Sequence, residues 1–278
     1  MLEQLNQGLI IRSNKLKILV SFFALVLVLL VICCGLLNLS NSDVYSFDNT
    51  FAAPSLSHIF GTDNYGRDMA QLTLSGLSIS LICALISSIV SVVLALLFAI
   101  GSSSEHKLLS ITFETLTNAV LGIPHIVLMI LVSFAVGKGA IGVIAAVSLT
   151  HWPTLSRVLS NELKQIKTSN WFKIERSLSA NKLQLVTKHV VPNVSKQLLT
   201  GATLALPHAI LHESTLTFLG FGFSPEVPAI GNILSETLKF TLTGNWWLSF
   251  FPGISLIVCV VVVSKLATRL QKRLEKTL

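Results

Sequence analysis

His208 and His212 stand four residues apart, with Glu213 beside the second, in a stretch from Gln197 to Phe223 that is otherwise free of charge. Positions i and i+4 share one face of a helix, so two imidazoles at this spacing can reach a single metal ion, with a carboxylate adjacent. Ionisable side chains inside a membrane-like segment are costly to keep, which makes His208, His212 and Glu213 candidates for a translocation path. The same groups can also satisfy one another or backbone atoms where helices meet, and no metal is assigned to them. Thr150-His151-Trp152 is a second polar interruption of an apolar run. There Trp152 suits a membrane boundary and His151 a hydrogen bond to a neighbour.

Other chemistries find no support. The sequence contains no G-x(4)-G-K-[ST] phosphate loop, no G-x-S-x-G and no H-E-x-x-H, and Gly137-Lys138-Gly139 lacks the spacing to cradle a polyphosphate. Cys33, Cys34, Cys83 and Cys259 all lie in apolar runs without a C-x-x-C spacing, and read as packing residues. No catalytic site and no cofactor is expected.

The elements that hold the candidate residues must be membrane helices. Of 278 residues, 52% are hydrophobic and 12% charged, with a mean hydropathy of +0.74, far from a soluble domain. About 20 residues cross a hydrocarbon core as a helix. Ile18 to Ser42, Met69 to Ser104, Thr115 to Gly137, Gly139 to Ser156 and Phe240 to Ser264 carry no charge, and Gln197 to Phe223 carries Glu213 alone. The expectation is an all-α membrane protein of six transmembrane helices. Its first apolar run is too long for a signal-peptide core and reads as an anchor. Pro124 is expected to kink the third span, and Gly137-Lys138-Gly139 to join the third and fourth in a tight hairpin.

Charge orients these spans. The N-terminal tail, the loop after the second span, the segment Arg157 to Lys196 and the C-terminal tail together hold 17 of the 20 Lys and Arg residues, which puts both termini in the cytoplasm. The same distribution explains the formal net charge of +7 without nucleic acid, since no basic stripe with interleaved aromatics is present. The organisation expected is a cytoplasmic tail over 1–17, a first transmembrane helix over 18–38 and an external loop over 39–74. A transmembrane core follows over 75–268, containing a cytoplasmic segment over 157–196, and a tail over 269–278 ends the chain. Apolar residues interleaved with eight basic ones make 157–196 suited to short amphipathic helices.

Three stretches resemble the dipeptide, oligopeptide and nickel branch of bacterial ABC importer permeases. His58-Ile-Phe-Gly-Thr-Asp-Asn-Tyr-Gly-Arg-Asp68 is similar to its H-x-x-G-T-D-x-x-G-R-D signature and keeps every fixed position. In it Gly61 and Gly66 permit positive-φ turns, while Asp63, Arg67 and Asp68 can bond an irregular loop together, with Thr62 a further position of the signature. Phe218-Leu-Gly-Phe-Gly222 with Pro225, Pro228 and Gly231-Asn232 resembles a second motif, with Ile230 in place of tryptophan, and Phe251-Pro-Gly253 matches the branch's F-P-G. Lys173 to Asn193 sits where the branch carries its E-A-A coupling motif. Leu178, Ala180, His189, Pro192 and Asn193 fit that pattern, whereas Lys173, Ile174 and Glu175 replace Glu-Ala-Ala and Ser179 replaces a glycine. His151-Trp152 is also similar to nickel members of the branch.

The resemblance implies a type I ABC importer permease fold in the bacterial cell membrane, with both termini cytoplasmic. It also implies a second permease subunit, two ATP-binding subunits that dock on 157–196, and an extracytoplasmic solute-binding protein that delivers peptide or a nickel-type metal complex. An ion-coupled secondary transporter using Glu213 is the alternative, weakened by the lack of a visible inverted repeat.

Overall fold

A computed structural model describes residues 28–29, 31–35, 37, 49–178 and 190–274. The first predicted span is therefore described only in part; the tail over 1–17 and residues 275–278 lie outside the described residues, as do Ser179, Ala180 and His189, whereas 269–274 of the predicted C-terminal tail continue the last helix. Eight helices are described, α1 Met69–Ser102, α2 Lys107–Leu121, α3 His125–Val136, α4 Ala140–Thr168, α5 Asn170–Leu178, α6 Val191–Phe218, α7 Ile230–Thr241 and α8 Trp247–Leu274. Among the described residues the one β-type pairing is an isolated bridge between Thr62 and Asp68.

α1 is the centre of the bundle and packs against α4, α6, α7 and α8. Its 34 residues rise about 51 Å, more than a hydrocarbon core requires. Lipid is as apolar as a leucine side chain, so membrane helices associate through close packing of small residues. Ser80, Ala84, Ser87, Ser88, Ser91, Ala95 and Ala99 recur at helical spacing and are buried, whereas Leu85, Ile89, Val93, Leu97 and Ile100 are exposed. The Ser148 hydroxyl of α4 reaches across to donate to the Ser87 carbonyl at 3.3 Å. The partly described first helix lies on α1 as well, since a Cβ on Gly35 would come within 2.6 Å of the Ser78 side chain.

Among the described residues, two helices, α1 and α8, are long and apolar enough to cross a membrane on their own. The predicted third span is corrected: α2 and α3 meet at 101°, so Thr115 to Gly137 is a broken element and not one kinked helix. The break falls at Gly122-Ile123-Pro124, where a residue lacking an N–H and crowding the preceding turn starts a new helix. The hairpin at Gly137-Lys138-Gly139 forms, with φ of +105° at Gly137 and +114° at Gly139. α4 also differs from expectation. It continues through Arg157, Lys164 and Lys167 to Thr168, because nothing between Pro153 and Ser169 interrupts it, and among the described residues of 157–196 α5 is the separate short amphipathic helix.

The α5 end of the bundle has its own apolar cluster, in which Ala95, Ala99, Trp152, Leu159, Leu163, Ile166, Phe172 and Val194 are buried. Polar ties brace it: Lys164 to Glu114, Lys167 to the Ser103 carbonyl, Arg157 to Asn118 at 2.6 Å and Arg176 to Glu105 at 2.6 Å. Exposed pairs of this kind contribute little, because water and salt screen them. A Glu114→Ala, Lys164→Ala double-mutant cycle on thermal unfolding is therefore expected to give a coupling below about 1 kcal/mol that shrinks with added salt.

At the opposite end, the loop before α1 is built by its acidic residues. Asp63 is buried and accepts from the Tyr65 and Arg67 backbone N–H groups at 2.8 and 2.9 Å, and from Arg67 Nε at 2.6 Å. Asp68 caps α1 by accepting from the Ala70 N–H at 2.8 Å and the Gln71 N–H at 3.2 Å, and bonds His58 Nδ1 at 2.8 Å. Thr62 ties the loop to Asn49 and Ala52. Arg67 extends to Glu236 of α7 at 3.6 Å, and Phe60 stacks on Phe251 of α8 with ring centroids 4.7 Å apart.

Candidate functional site

Between α1, α3, α4 and α6 lies a cavity of about 560 Å³. Ser91 lines it from α1, Thr150, His151, Thr154 and Val158 from α4, and Gln197, Gly201, His208 and His212 from α6. His125 lines it from the first residue of α3. The histidines occupy one end and Val158 with Gln197 the other, by their order along α4 and α6. Among the described residues no Asp, Glu, Lys or Arg lines this cavity.

Three imidazoles meet at one end of it. The ring centroids of His125 and His212 are 4.5 Å apart, and each lies 4.7 Å from His151. One nitrogen from each of the three can be chosen so that all lie within 4.8 Å of one another. His151 Nδ1 sits 2.9 Å from the Val147 carbonyl one turn back, which makes Nδ1 the protonated nitrogen and leaves Nε2 a bare lone pair. Nε2 of His151 and Nδ1 of His125 are both buried and without a hydrogen-bond partner.

The i, i+4 pair is thus only half of what its spacing suggested. His208 and His212 share a face and line the cavity, but their ring centroids are 6.5 Å apart, and His208 is the more exposed. Glu213 points elsewhere. It is completely buried outside the cavity lining, where its carboxylate accepts from Ser214 Oγ at 3.2 Å and Thr217 Oγ1 at 3.1 Å. A helical step of 100° turns adjacent residues to different sides. A common site for His208, His212 and Glu213 is therefore not what the fold builds. His125 was absent from the sequence-level candidates, since nothing in linear spacing links it to His151 or His212. Its one local signal was an imidazole directly after the helix-breaking Pro124.

The Phe218 to Asn232 stretch forms the turn that returns α6 to α7. Asn232 Nδ2 donates to the Ser224 and Val227 carbonyls at 2.7 and 2.9 Å. Gly231 lies so close to α6 that a Cβ would stand 2.4 Å from the Ser214 carbonyl oxygen. Ile230 is fully buried. Of the coupling residues, Lys173 and Ile174 are exposed on α5, Glu175 is half-buried beside them, Leu178 ends that helix, and Pro192 lies in the first turn of α6.

A family model described as "Binding-protein-dependent transport system inner membrane component" matches residues 91–277. The chain is 25% identical over 268 residues to the dipeptide transport system permease protein DppC of Bacillus subtilis, covering 96% of this chain and 84% of that one. It is 26% identical over 242 residues to the oligopeptide transport system permease protein OppC of the same organism, covering 87% and 79%. Its structure resembles the MetNI methionine ABC transporter in an inward-facing conformation, with a TM-score of 0.59 and 19% identity over 74% of this chain and 97% of the other. At that identity the likeness is one of fold.

Proposed function

Because the chain belongs to the family of binding-protein-dependent transport system inner membrane components, we propose that it is the permease subunit of an ATP-driven importer of peptides or nickel-type metal complexes. Its cargo path runs along the cavity between α1, α3, α4 and α6. The observation that carries this reading is the joining of two features by one helix. α4 lines the cavity through His151 and Thr154, then continues unbroken to the α5 end, where Ile174 and Lys173 are exposed.

The chain holds no phosphate loop, so ATP hydrolysis belongs to two separate subunits that dock on α5 and the residues following it. A second permease completes the path, and an extracytoplasmic solute-binding protein loads it. Both termini lie in the cytoplasm, where the Lys and Arg residues concentrate. Rigid α4 carries motion between dock and cavity, so that the path opens alternately to the two sides. Reversing such an equilibrium from 1:99 to 99:1 needs about 5.5 kcal/mol of differential binding, within reach of nucleotide and cargo together. Peptide is the cargo named for DppC and OppC. The histidine cluster favours a metal complex as a second cargo class.

Affinity purification of the tagged chain from its native membrane is expected to recover a second permease and two nucleotide-binding subunits, and the reconstituted assembly to import cargo only with ATP. Recovery of the chain alone, transporting on a proton gradient, would overturn the reading in favour of an ion-coupled carrier.

A further inference from the structure

We propose that His125, His151 and His212 form a metal-binding station that takes one divalent transition ion of the nickel, copper or zinc class, arriving as part of a small anionic chelate. The role as a cargo station rests on reading the cavity as the path; the ion site itself rests on the three rings.

The rings come from three helices, α3, α4 and α6, so the arrangement exists only in the folded bundle. An ion about 2.0–2.1 Å from each nitrogen in tetrahedral geometry needs donors about 3.4 Å apart. The present limit of 4.8 Å is wider than that, so binding an ion requires the three rings to close toward one another. Two of the candidate nitrogens, His151 Nε2 and His125 Nδ1, are buried with no hydrogen-bond partner, and one has its tautomer set by the Val147 carbonyl so that its lone pair is free. A backbone carbonyl that orients an imidazole in this way is the usual outer support of a histidine ligand.

The ligand class follows from the donor set. Imidazole nitrogen suits nickel, copper and zinc, whereas magnesium and calcium require oxygen donors. Three neutral histidines leave the charge of a dication uncompensated, and among the described residues no carboxylate lines the cavity, Glu213 facing the helix packing. The missing negative charge must then come with the cargo, through the carboxylates of a chelator bound at coordination positions open to the rest of the 560 Å³ cavity. Thr150, Thr154, Gln197 and Thr200 line that space and offer neutral hydrogen-bonding groups to such a ligand.

The test uses the assembled transporter purified with its partner subunits, equilibrated with Ni2+ or with Zn2+, each alone and with citrate. The expected result is one ion per copy of this chain, with X-ray absorption showing three imidazole nitrogens at about 2.0–2.1 Å. His125→Gln, His151→Gln and His212→Gln are each expected to weaken binding tenfold or more, and His106→Gln, on the exposed loop before α2, to leave it unchanged. Wild-type assembly that binds no ion, or that binds one through oxygen donors alone, overturns the proposal whatever the variants do. ATP-driven uptake on the same preparation, assayed with both peptide and the Ni2+ citrate chelate, separates the two readings. Uptake without ion binding sinks the station and leaves the importer standing, whereas ion binding without ATP-driven uptake supports the site and sinks the importer.

Discussion

Ile174→Glu is expected to lower ATP-driven uptake by tenfold or more while the chain still inserts and still pairs with its second permease. α5 has two faces. Phe172 is buried in the cluster with Trp152, Leu163 and Val194, which fixes the helix to the bundle, and Ile174, two positions on, is 59% exposed. A large aliphatic side chain held outward on an anchored helix supplies a docking knob. Burying it fully against a partner contributes about 1.5–3 kcal/mol, one to two powers of ten in affinity. A glutamate at that position loses this contribution and adds the cost of desolvating a carboxylate. The measurement is the amount of ATPase recovered with the tagged chain, beside uptake in proteoliposomes. Ile174→Leu, which keeps the apolar volume, should restore both. Undiminished ATPase recovery with Ile174→Glu would remove α5 from the dock.

Gly61→Val is expected to destabilise the protein by about 2–5 kcal/mol. Two costs add. At a φ of +75° a β-carbon meets the following carbonyl, which costs about 1–2 kcal/mol. In addition, the new atom would stand 2.6 Å from the Ala52 carbonyl oxygen and 2.8 Å from Trp247 Nε1, and overpacking of this kind costs about 1–3 kcal/mol. The loop cannot retreat, because Met69 donates its N–H to the Gly61 carbonyl and Phe60 is stacked on Phe251. Thermal unfolding in detergent and protease cleavage between residues 50 and 68 both read the effect. Gly137→Ala is the comparison: its φ is +105° but nothing lies within 4 Å of the added carbon, so only the backbone cost remains. Equal losses at the two glycines would mean that the Ala52 and Trp247 contacts are unimportant.

The loop, the helical nature of the chain and its membrane-type helices were legible because each depends on neighbours in sequence. Asp63 reaches Arg67, and Asp68 reaches Ala70, within a single turn of chain, so the motif from His58 to Asp68 implies its own geometry. Runs without charge imply helices because a bilayer leaves backbone groups no other partner. The same reasoning failed at the third span. Hydropathy sums over Gly122-Ile123-Pro124 and sees one apolar stretch, whereas the backbone turns by 101° there.

Sequence alone thus determined an all-α membrane protein, the loop signature and the family, all of which rest on residue type and short-range spacing. Tertiary structure decided which histidines meet. Linear spacing paired His208 with His212 and set Glu213 beside them, yet the bundle turns Glu213 into its packing and brings in His125 and His151 instead. The physical reason is that a shared helix face requires only a spacing of four, whereas a site between helices depends on their crossing and rotation. Those follow from the packing of small residues along α1 against α4 and α6, and from the break at Pro124 that places His125 opposite them.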